Sequence, residues 1–407
     1  MNILLSAYAC EPNKGSEPGV GWNWAIELAK LGHQVHVITR ANNKRSIIAA
    51  LSEAPCDNLH FTYYDLPDWL KSWKKGARGV HLYYFLWQIG IYSVAKRLVK
   101  KHSFDVIHHV TFVSVRQPSF LGLLGVPFIF GPVGGGERTP FRLRKSYPPR
   151  GCLIDAIRDL ANLWVKFSPL MRMTFHTATK IYVTSEDTCH LIPKKFHNKT
   201  SVQLGIALDI SPQKPIKKFE IWPEPRVLYV GNLLYWKGVH LALRSFSLLL
   251  KHLPESRLTI LGKGPDKLWL KNLSCQLGIE HAVEWLEWMP RGGLDEVYQG
   301  HDVLLFPSLH DSGGMVVLEA MGNGLPVICL SLGGPGVIVD ETCGYTIDTN
   351  GCTELQVVKK LGDALKKHLG SSKLNGELSE GVLRRAKQLS WANQVFTVYD
   401  KINGSMK

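Results

Sequence analysis

The 407-residue sequence lacks the motifs that identify several large classes of protein. None of its eight cysteines forms a C-x-x-C pair, so zinc-ribbon and thioredoxin-like redox sites are not predicted. No apolar run reaches the roughly 20 residues that a transmembrane helix needs. Neither a Cys/His finger nor an aromatic–basic RNA-binding pattern is present, so nucleic acid is not an expected partner.

Two common phosphate-binding motifs are missing as well. The loop after the first predicted strand lacks G-x-G-x-x-G, and no G-x-x-x-x-G-K-[ST] occurs, so dinucleotide-binding and P-loop interpretations are weak. The chain enters its first predicted strand at Asn2 without a signal-peptide pattern, and several cysteines lie in apolar contexts. Free thiols in a reducing cytosol are therefore expected.

The charge balance is strongly basic, with a formal net charge of +14. With nucleic-acid motifs absent, an anionic membrane surface or anionic substrates remain as explanations. Aromatic and basic side chains crowd residues 69–78, and residues 80–101 carry apolar side chains at helical spacing with Lys and Arg at the end. This pattern predicts an interfacial, membrane-touching helix, with an ordinary core helix as the alternative. Residues 141–172 form a second basic–aromatic stretch.

The most informative stretch begins with a buried strand at 302–307 and continues into a glycine turn, Gly313-Gly314. An apolar helix then starts at Met315, and its first amides point back into the turn, which makes an anion site. Asp311 and Glu319 flank that site with seven residues between them. A sugar, a diphosphate and a ribose fit this order. An ordinary α/β turn with two solvated acids is the alternative.

This pattern resembles the E-x7-E signature of retaining glycosyltransferases of the "glycosyl transferases group 1" family (family 4), with Asp311 in place of the first Glu. Residues 231–238, GNLLYWKG, are similar to the family's G-R-L-x-x-x-K-G, although Asn232 stands where Arg is usual. Residues 262–265, GKGP, are similar to its G-x-G-P turn. The resemblance covers nearly the whole chain.

The resemblance implies an α/β fold of two Rossmann-like domains that face each other across a cleft (GT-B). We expect an acceptor-side domain at 1–215 and a nucleotide-sugar-binding domain at 222–389. A C-terminal helix at 390–407 is expected to pack back on the first domain. The Pro- and Lys-rich residues 211–225 are predicted to be the linker.

The resemblance also implies roles for individual residues. Lys237 and the helix amides are expected to stabilise the departing diphosphate, while Asp311 holds sugar hydroxyls and Glu319 holds the ribose. Predicted donor contacts are Lys14, Gly15, Ser16, Asn232, Lys263, Gly264, Met289, Gly313, Gly314, Met315 and Val316.

Four further residues keep two interpretations each. Glu137 and Arg138 follow a predicted strand at 126–130 and a glycine run, and are candidates for acceptor binding, with a solvated loop as the alternative. His108 matches the first His of the family's D-V-I-H-x-H, whereas His109 is out of register with the second. For both histidines a catalytic role and a structural role remain open.

The implied activity is transfer of a hexose-type sugar, with retention, from a nucleotide-diphosphate sugar to a lipid-linked or cell-surface glycan intermediate of the polysaccharide or lipopolysaccharide type. No convincing D-x-D motif occurs, and the scheme needs no metal or other cofactor. The expected location is cytoplasmic, with a peripheral position on the inner face of the cytoplasmic membrane. The alternatives are a nucleotide-sugar hydrolase or epimerase, and a non-catalytic membrane-associated scaffold.

Overall fold

The computed structural model describes residues 1–70, 79–208, 224–287 and 289–406, which divide into two compact units. Unit 1 comprises Met1–Gly136, Asp159–Ile206 and Trp391–Lys407, and unit 2 comprises Glu137–Arg158 and Ala207–Ser390. The predicted boundary at residue 215 therefore misses one segment, because residues 137–158 pack with unit 2. Most of the predicted linker 211–225 and the basic–aromatic residues 71–78 lie outside the described residues.

Each unit is built on one parallel sheet. The strands of unit 1 are β1 (Asn2–Ala7), β2 (Gln34–Thr39), β3 (Leu59–Tyr63), β4 (Val106–Thr111), β5 (Phe128–Val133), β6 (Lys180–Val183) and β7 (Thr200–Val202). Those of unit 2 are β8 (Arg226–Val230), β9 (Arg257–Leu261), β10 (Val283–Leu286), β11 (Val303–Phe306), β12 (Val327–Leu330) and β13 (Gly344–Ile347). The two spatial orders are β3-β2-β1-β4-β5-β6-β7 and β10-β9-β8-β11-β12-β13.

Helices connect most of these strands, as parallel pairing requires. They are α1 (Ser16–Lys30), α2 (Lys44–Glu53), α3 (Val80–Lys101), α4 (Pro149–Phe167), α5 (Pro169–Thr177), α6 (Glu186–Leu191), α7 (Val239–Leu250), α8 (Lys267–Gln276), α9 (Arg291–Gln299), α10 (Met315–Gly322), α11 (Gly333–Ile338), α12 (Glu354–Leu369), α13 (Ser372–Gln388) and α14 (Trp391–Met406). Strands covered on both faces are continuous apolar runs, and Ile3, Leu4 and Leu5 of β1 are fully buried.

The glycines and prolines of residues 11–22 predict a loop that is followed by a helix from Trp22, but helix α1 already begins at Ser16. Two glycines that looked like loop residues lie inside the helix, where they allow close packing. A Cβ at Gly19 would lie 1.9 Å from the carbonyl oxygen of Lys14, and one at Gly21 would lie 2.2 Å from that of Ala9. Because these two glycines have no side chain, the helix can pack closely against the loop after β1.

Helix α3 is a core helix, so the prediction of an interfacial helix at 80–101 is wrong. Its apolar stripe is buried in unit 1, at Tyr83, Tyr84, Trp87, Ile91, Val94 and Ala95. Lys100 and Lys101 lie in its last turn, where positive charge suits the helix dipole. Among the helices that the structure describes, none combines the length and hydropathy needed to cross a membrane.

The sheet topology fixes where ligands are expected in each unit. The strand order reverses between β1 and β4 in unit 1, and between β8 and β11 in unit 2. Open parallel sheets bind ligands at such switch points, beyond the carboxyl ends of the strands. The segments that follow β1, β8 and β11 carry most of the candidate residues, and His108 and His109 lie within β4.

Candidate active site

Lys237 and Asp311 form an ion pair at the β8–β11 switch point. The Lys237 Nζ donates to Asp311 Oδ2 at 2.5 Å, and the two side chains are 19% and 16% exposed. The loops that carry them are joined by a backbone hydrogen bond, in which the Leu309 N–H donates to the Trp236 carbonyl at 2.9 Å. Two residues predicted to bind separate parts of a ligand therefore bind each other in this structure.

Asp311 also closes the glycine turn before α10. Its Oδ1 accepts hydrogen bonds from the N–H groups of Gly313 at 3.1 Å and Gly314 at 2.9 Å. Burial raises the pKa of Asp311, but the Lys237 charge and hydrogen bond and the amides of Gly314 and Gly313 outweigh burial and hold it below its ordinary value. The carboxylate is therefore charged at neutral pH.

This arrangement changes the predicted set of phosphate-binding amides. The Gly313 and Gly314 amides, which were predicted to face the diphosphate, are bonded to Asp311. The N–H groups of Met315 and Val316 open helix α10, and first-turn amides have no partner within their own helix. Gly314 has φ +76°, a left-handed conformation that turns the chain into the helix.

The loop carrying Lys237 is held by close backbone contacts. Gly238 has φ +72°, and a Cβ there would lie 1.8 Å from the Pro307 carbonyl oxygen at the end of β11. A Cβ at Gly262 would lie 1.9 Å from the Gly231 carbonyl oxygen. Three predicted donor contacts, Lys263, Gly264 and Asn232, lie on this β8–β9 edge, and the side chains of Lys263 and Asn232 are exposed.

Glu319 lies on α10, farther along the helix from the glycine turn than Met315 and Val316. Its Oε2 accepts a hydrogen bond from the Tyr298 hydroxyl at 3.2 Å. Burial raises the pKa of Tyr298, and the charge of Glu319 raises it further, so the hydroxyl remains a donor. Met289 lies between β10 and α9 in the same unit and is partly buried. Sequence patterns missed Tyr298, because a tyrosine inside a helix carries no motif.

Glu137 and Arg138 belong to unit 2. Glu137 is only 1% exposed, which excludes the solvated-loop alternative for its side chain. A Cβ at Gly333 would lie 2.1 Å from the Asp311 carbonyl oxygen and 3.2 Å from Glu137 Cγ, so Glu137 lies beside the Asp311 turn. Arg138 is exposed. Acceptor binding by these two residues stays a prediction.

The candidates of unit 1 sit at the β1–β4 switch point. Lys14 is exposed on the loop after β1, Gly15 is the residue before α1, and Ser16 is its first residue. Glu17 ties α1 to the loop after β4, because its Oε1 accepts a hydrogen bond from the Val113 N–H at 2.9 Å. Donor contacts by Lys14, Gly15 and Ser16 remain predictions.

His108 and His109 are fully buried in β4. The two ring nitrogens of His108 contact the Tyr399 hydroxyl at 3.0 Å and the Gly131 carbonyl at 2.7 Å. His109 Nε2 lies 3.2 Å from the Tyr84 hydroxyl. Burial lowers the pKa of His108 to about 4 and that of His109 to about 3, so both are neutral. This geometry favours the structural interpretation of both residues over the catalytic one.

Within the part of the chain that the structure describes, no group of three or more His, Cys, Asp or Glu side chains is placed to hold a metal ion. Lys237 and the start of α10 place positive charge at the β8–β11 edge.

Residues 213–379 match the family model of glycosyl transferases group 1. An uncharacterized glycosyltransferase of Methanocaldococcus jannaschii is 36% identical over 111 residues, which cover 27% of this chain and 28% of that protein. A D-inositol 3-phosphate glycosyltransferase of Corynebacterium aurimucosum is 29% identical over 175 residues, which cover 41% of this chain and 40% of that protein. The match spans less than two thirds of either relative's own length.

Solved structures resemble the chain over its whole length. The sucrose-phosphate synthase of Thermosynechococcus elongatus has a TM-score of 0.63 at 16% identity, covering 99% of both chains. WaaG, a glycosyltransferase involved in lipopolysaccharide biosynthesis, has a TM-score of 0.56 at 17% identity, covering 99% of this chain and 100% of that one. Anabaena HepE in complex with UDP-glucose has a TM-score of 0.56 at 13% identity, with the same coverage. The fold is the pair of Rossmann-like units found in GT-B glycosyltransferases.

Proposed function

Since the chain carries a glycosyl transferases group 1 domain at residues 213–379 within a GT-B fold, we propose that it is a retaining glycosyltransferase. It transfers a hexose-type sugar from a nucleoside diphosphate to a lipid-linked or cell-surface glycan intermediate. The acceptor class rests on the basic chain, with net charge +14, and on the likeness to WaaG. A cytoplasmic location, peripheral on the inner membrane face, follows from the same proposal.

One observation carries the proposal: a half-buried lysine and the start of α10 meet at the β8–β11 switch point. Breaking the glycosidic bond to a nucleoside diphosphate leaves negative charge on phosphate oxygens. Lys237 and the Met315 and Val316 amides offer that charge fixed donors without the help of a metal. One such donor is worth about 2.7–4 kcal/mol of barrier, by analogy with oxyanion-hole deletions.

Asp311 has a double role in this scheme. In the unliganded site it neutralises Lys237 and occupies the Gly313 and Gly314 amides. An arriving diphosphate competes for Lys237, which frees one carboxylate oxygen for the hydroxyls of the sugar. Glu319, oriented by Tyr298, binds the ribose hydroxyls.

A screen of nucleotide sugars by thermal shift tests the donor assignment, since a ligand that binds only the folded state raises its melting temperature. We expect a UDP- or GDP-sugar to stabilise the wild type and a Lys251→Ala control, which removes an exposed lysine at the end of α7. A Lys237→Ala protein is expected to lose the shift. Equal shifts in all three proteins would show that the donor binds elsewhere.

Product analysis of the stabilising donor, with and without glycan acceptors, separates the transferase from the hydrolase and epimerase. Transfer with retained anomeric configuration is the expected outcome. Free sugar or an epimerised nucleotide sugar formed equally well without acceptor would contradict transfer.

A further inference from the structure

Helix α4 has its polarity reversed relative to a helix on the surface of a soluble protein. Its outward face is apolar: Leu153 is 63% exposed, Ile157 61%, Leu160 69%, Trp164 67% and Phe167 61%. These positions repeat at spacings of four and three residues, so they form one stripe along the helix. Ile154, Leu163, Leu170 and, before the helix, Phe141 add further exposed apolar area.

The inward face of α4 carries the polar residues instead. Asp155 is 2% exposed, and its Oδ1 accepts hydrogen bonds from Arg158 at 2.9 Å and from the Tyr235 hydroxyl at 3.2 Å. Asn162 is 4% exposed, and its Oδ1 accepts from Arg116 Nε at 2.8 Å. These bonds fix the orientation of the helix, because rotating it to bury the apolar stripe would break them. The outward stripe is therefore held in place by the fold.

An apolar stripe of this size needs an apolar partner, either a second copy of the chain or a lipid surface. The charges around the stripe distinguish the two. Basic residues flank the stripe at both ends: Arg142 and Lys145 before it, and Lys166 and Arg172 near its end. Arg150 is not counted among them, because it pairs with Asp266. A second copy of the chain would bring the same positive charges together across the interface. An anionic lipid surface would neutralise them while the apolar side chains enter the acyl boundary.

We propose that the outward face of α4 is a docking surface for an anionic lipid bilayer. The helix lies along the membrane plane with Leu153, Leu160 and Trp164 below the headgroups, and the flanking Lys and Arg contact lipid phosphates. The aromatic Trp164 and Phe167 suit the boundary between headgroups and acyl chains. The inward face of the same helix contacts Tyr235, in the loop that carries Lys237. The proposal extends the peripheral membrane location proposed above, but it does not depend on the identity of the sugar donor.

Sedimentation with vesicles tests the surface directly. We expect the wild type to sediment with phosphatidylcholine vesicles that contain phosphatidylglycerol, and to be released by salt or by omission of the anionic lipid. A Leu160→Ser/Trp164→Ser protein is expected to bind at least about tenfold more weakly. Its melting temperature is expected to stay unchanged, because both side chains face outward.

The matched control removes equally exposed apolar groups elsewhere. Leu268 is 72% exposed on α8 and Leu355 is 78% exposed on α12, so a Leu268→Ser/Leu355→Ser protein is expected to bind vesicles like the wild type. Equal binding by the α4 variant and by this control would overturn the proposal. So would a concentration-dependent dimer in light scattering that only the α4 variant loses, since a second copy would then cover the stripe.

A charge test uses the same assay. Lys145 is exposed and Lys166 half-exposed beside the stripe, so a Lys145→Glu/Lys166→Glu protein is expected to show weaker binding and a smaller salt dependence. Its control is Lys251→Glu/Lys271→Glu, with two exposed lysines of unit 2. Identical salt curves for both variants would contradict a role for the α4 charges.

Discussion

The two switch points have the same topology and opposite chemistry. At β1–β4 the buried side chains His108 and His109 are neutral, and His108 spends both ring nitrogens on contacts within unit 1. At β8–β11 a charged pair, Lys237 and Asp311, is half-buried beside the first amides of α10. An active site needs polar groups that can exchange their partners for a ligand. The β8–β11 edge has them, whereas both ring nitrogens of His108 at the β1–β4 edge already bind groups of unit 1.

The largest effect is expected from a substitution that removes the positive charge at the β8–β11 edge. Lys237→Ala is expected to lower the turnover of sugar transfer by about 10²–10³, because the departing diphosphate loses a preorganised donor. Steady-state kinetics on the preferred nucleotide sugar measure this, with Lys251→Ala as the control. Turnover within a few-fold of the wild type would place the reaction at a different edge.

The second prediction concerns the contact that brings the two loops of that edge together. Gly238→Ala adds left-handed strain of about 1–2 kcal/mol and a clash with the Pro307 carbonyl worth about 1–3 kcal/mol. Gly351 also has a positive φ, of +67°, but a Cβ there meets nothing within 4 Å, so Gly351→Ala isolates the strain. We expect a clearly lower melting temperature for Gly238→Ala than for Gly351→Ala. Equal melting temperatures would mean that the loops are not in contact.

Two buried histidines allow a comparison between a ring with hydrogen-bond partners and a ring without them. His240 of unit 2 is fully buried, and neither ring nitrogen has a hydrogen-bond partner among the described residues. Leaving a buried polar group unpaired costs about 1–3 kcal/mol, so His240→Leu is expected to stabilise the protein. His108→Leu, which breaks two contacts, is expected to destabilise it. Thermal midpoints measured at pH 7.5 test both signs, and shifts in the same direction would contradict this account.

The same histidines predict a pH dependence. Burial lowers the pKa of His240 to about 3 and that of His108 to about 4, below the unfolded value of about 6.5. Between about pH 4 and pH 6.5 these histidines are protonated in the unfolded chain but neutral in the folded protein. The contribution of the neutral histidines to stability is therefore complete above pH 6.5 and is lost as the pH falls toward 4. Unfolding followed between pH 7.5 and 4.5 is expected to show this loss, with a shallower slope for His240→Leu. An unchanged slope would mean that His240 is protonated in the folded state.

The smallest effect probes the ion pair itself. Asp311→Asn removes the carboxylate that competes with a diphosphate for Lys237. A nucleoside diphosphate is therefore expected to bind up to about fivefold more tightly, which corresponds to an ion pair worth about 1 kcal/mol or less. Transfer is expected to slow, because the sugar hydroxyls lose an acceptor. Calorimetric titration with UDP or GDP, paired with kinetics, separates the two effects. Weaker nucleotide binding would show that Asp311 helps to hold the diphosphate.

Sequence patterns located much of this fold. Hydrophobic patterns in the sequence predict strands at 34–39 and 226–230 and a helix at 354–369, and the structure has the same bounds. Strong hydrophobic periodicity and glycine punctuation mark such elements locally. The same logic placed a helix at 80–101, as the structure has it, but assigned its apolar face to a membrane. An amphipathic helix has the same sequence pattern whether its apolar face meets lipid or protein. Sequence patterns also missed that residues 137–158 pack with unit 2, which depends on long-range contacts.

At the candidate site, the sequence brought Lys237, Asp311 and Glu319 to attention, but it did not predict their unliganded partners. The Asp311 side chain, which is shorter than the Glu usual in the resembled family, accepts hydrogen bonds from the turn amides and from Lys237. Tyr298 donates to Glu319 from the preceding helix. Such pairings depend on angles between loops, which spacing alone does not determine.

A crystal structure of the protein with bound UDP or GDP would show which groups hold the diphosphate. We expect diphosphate oxygens within hydrogen-bond distance of Lys237 Nζ and of the Met315 and Val316 amides, with the Lys237–Asp311 pair opened or shared. A nucleotide whose diphosphate lies at another edge of either sheet, with that pair intact, would contradict this expectation.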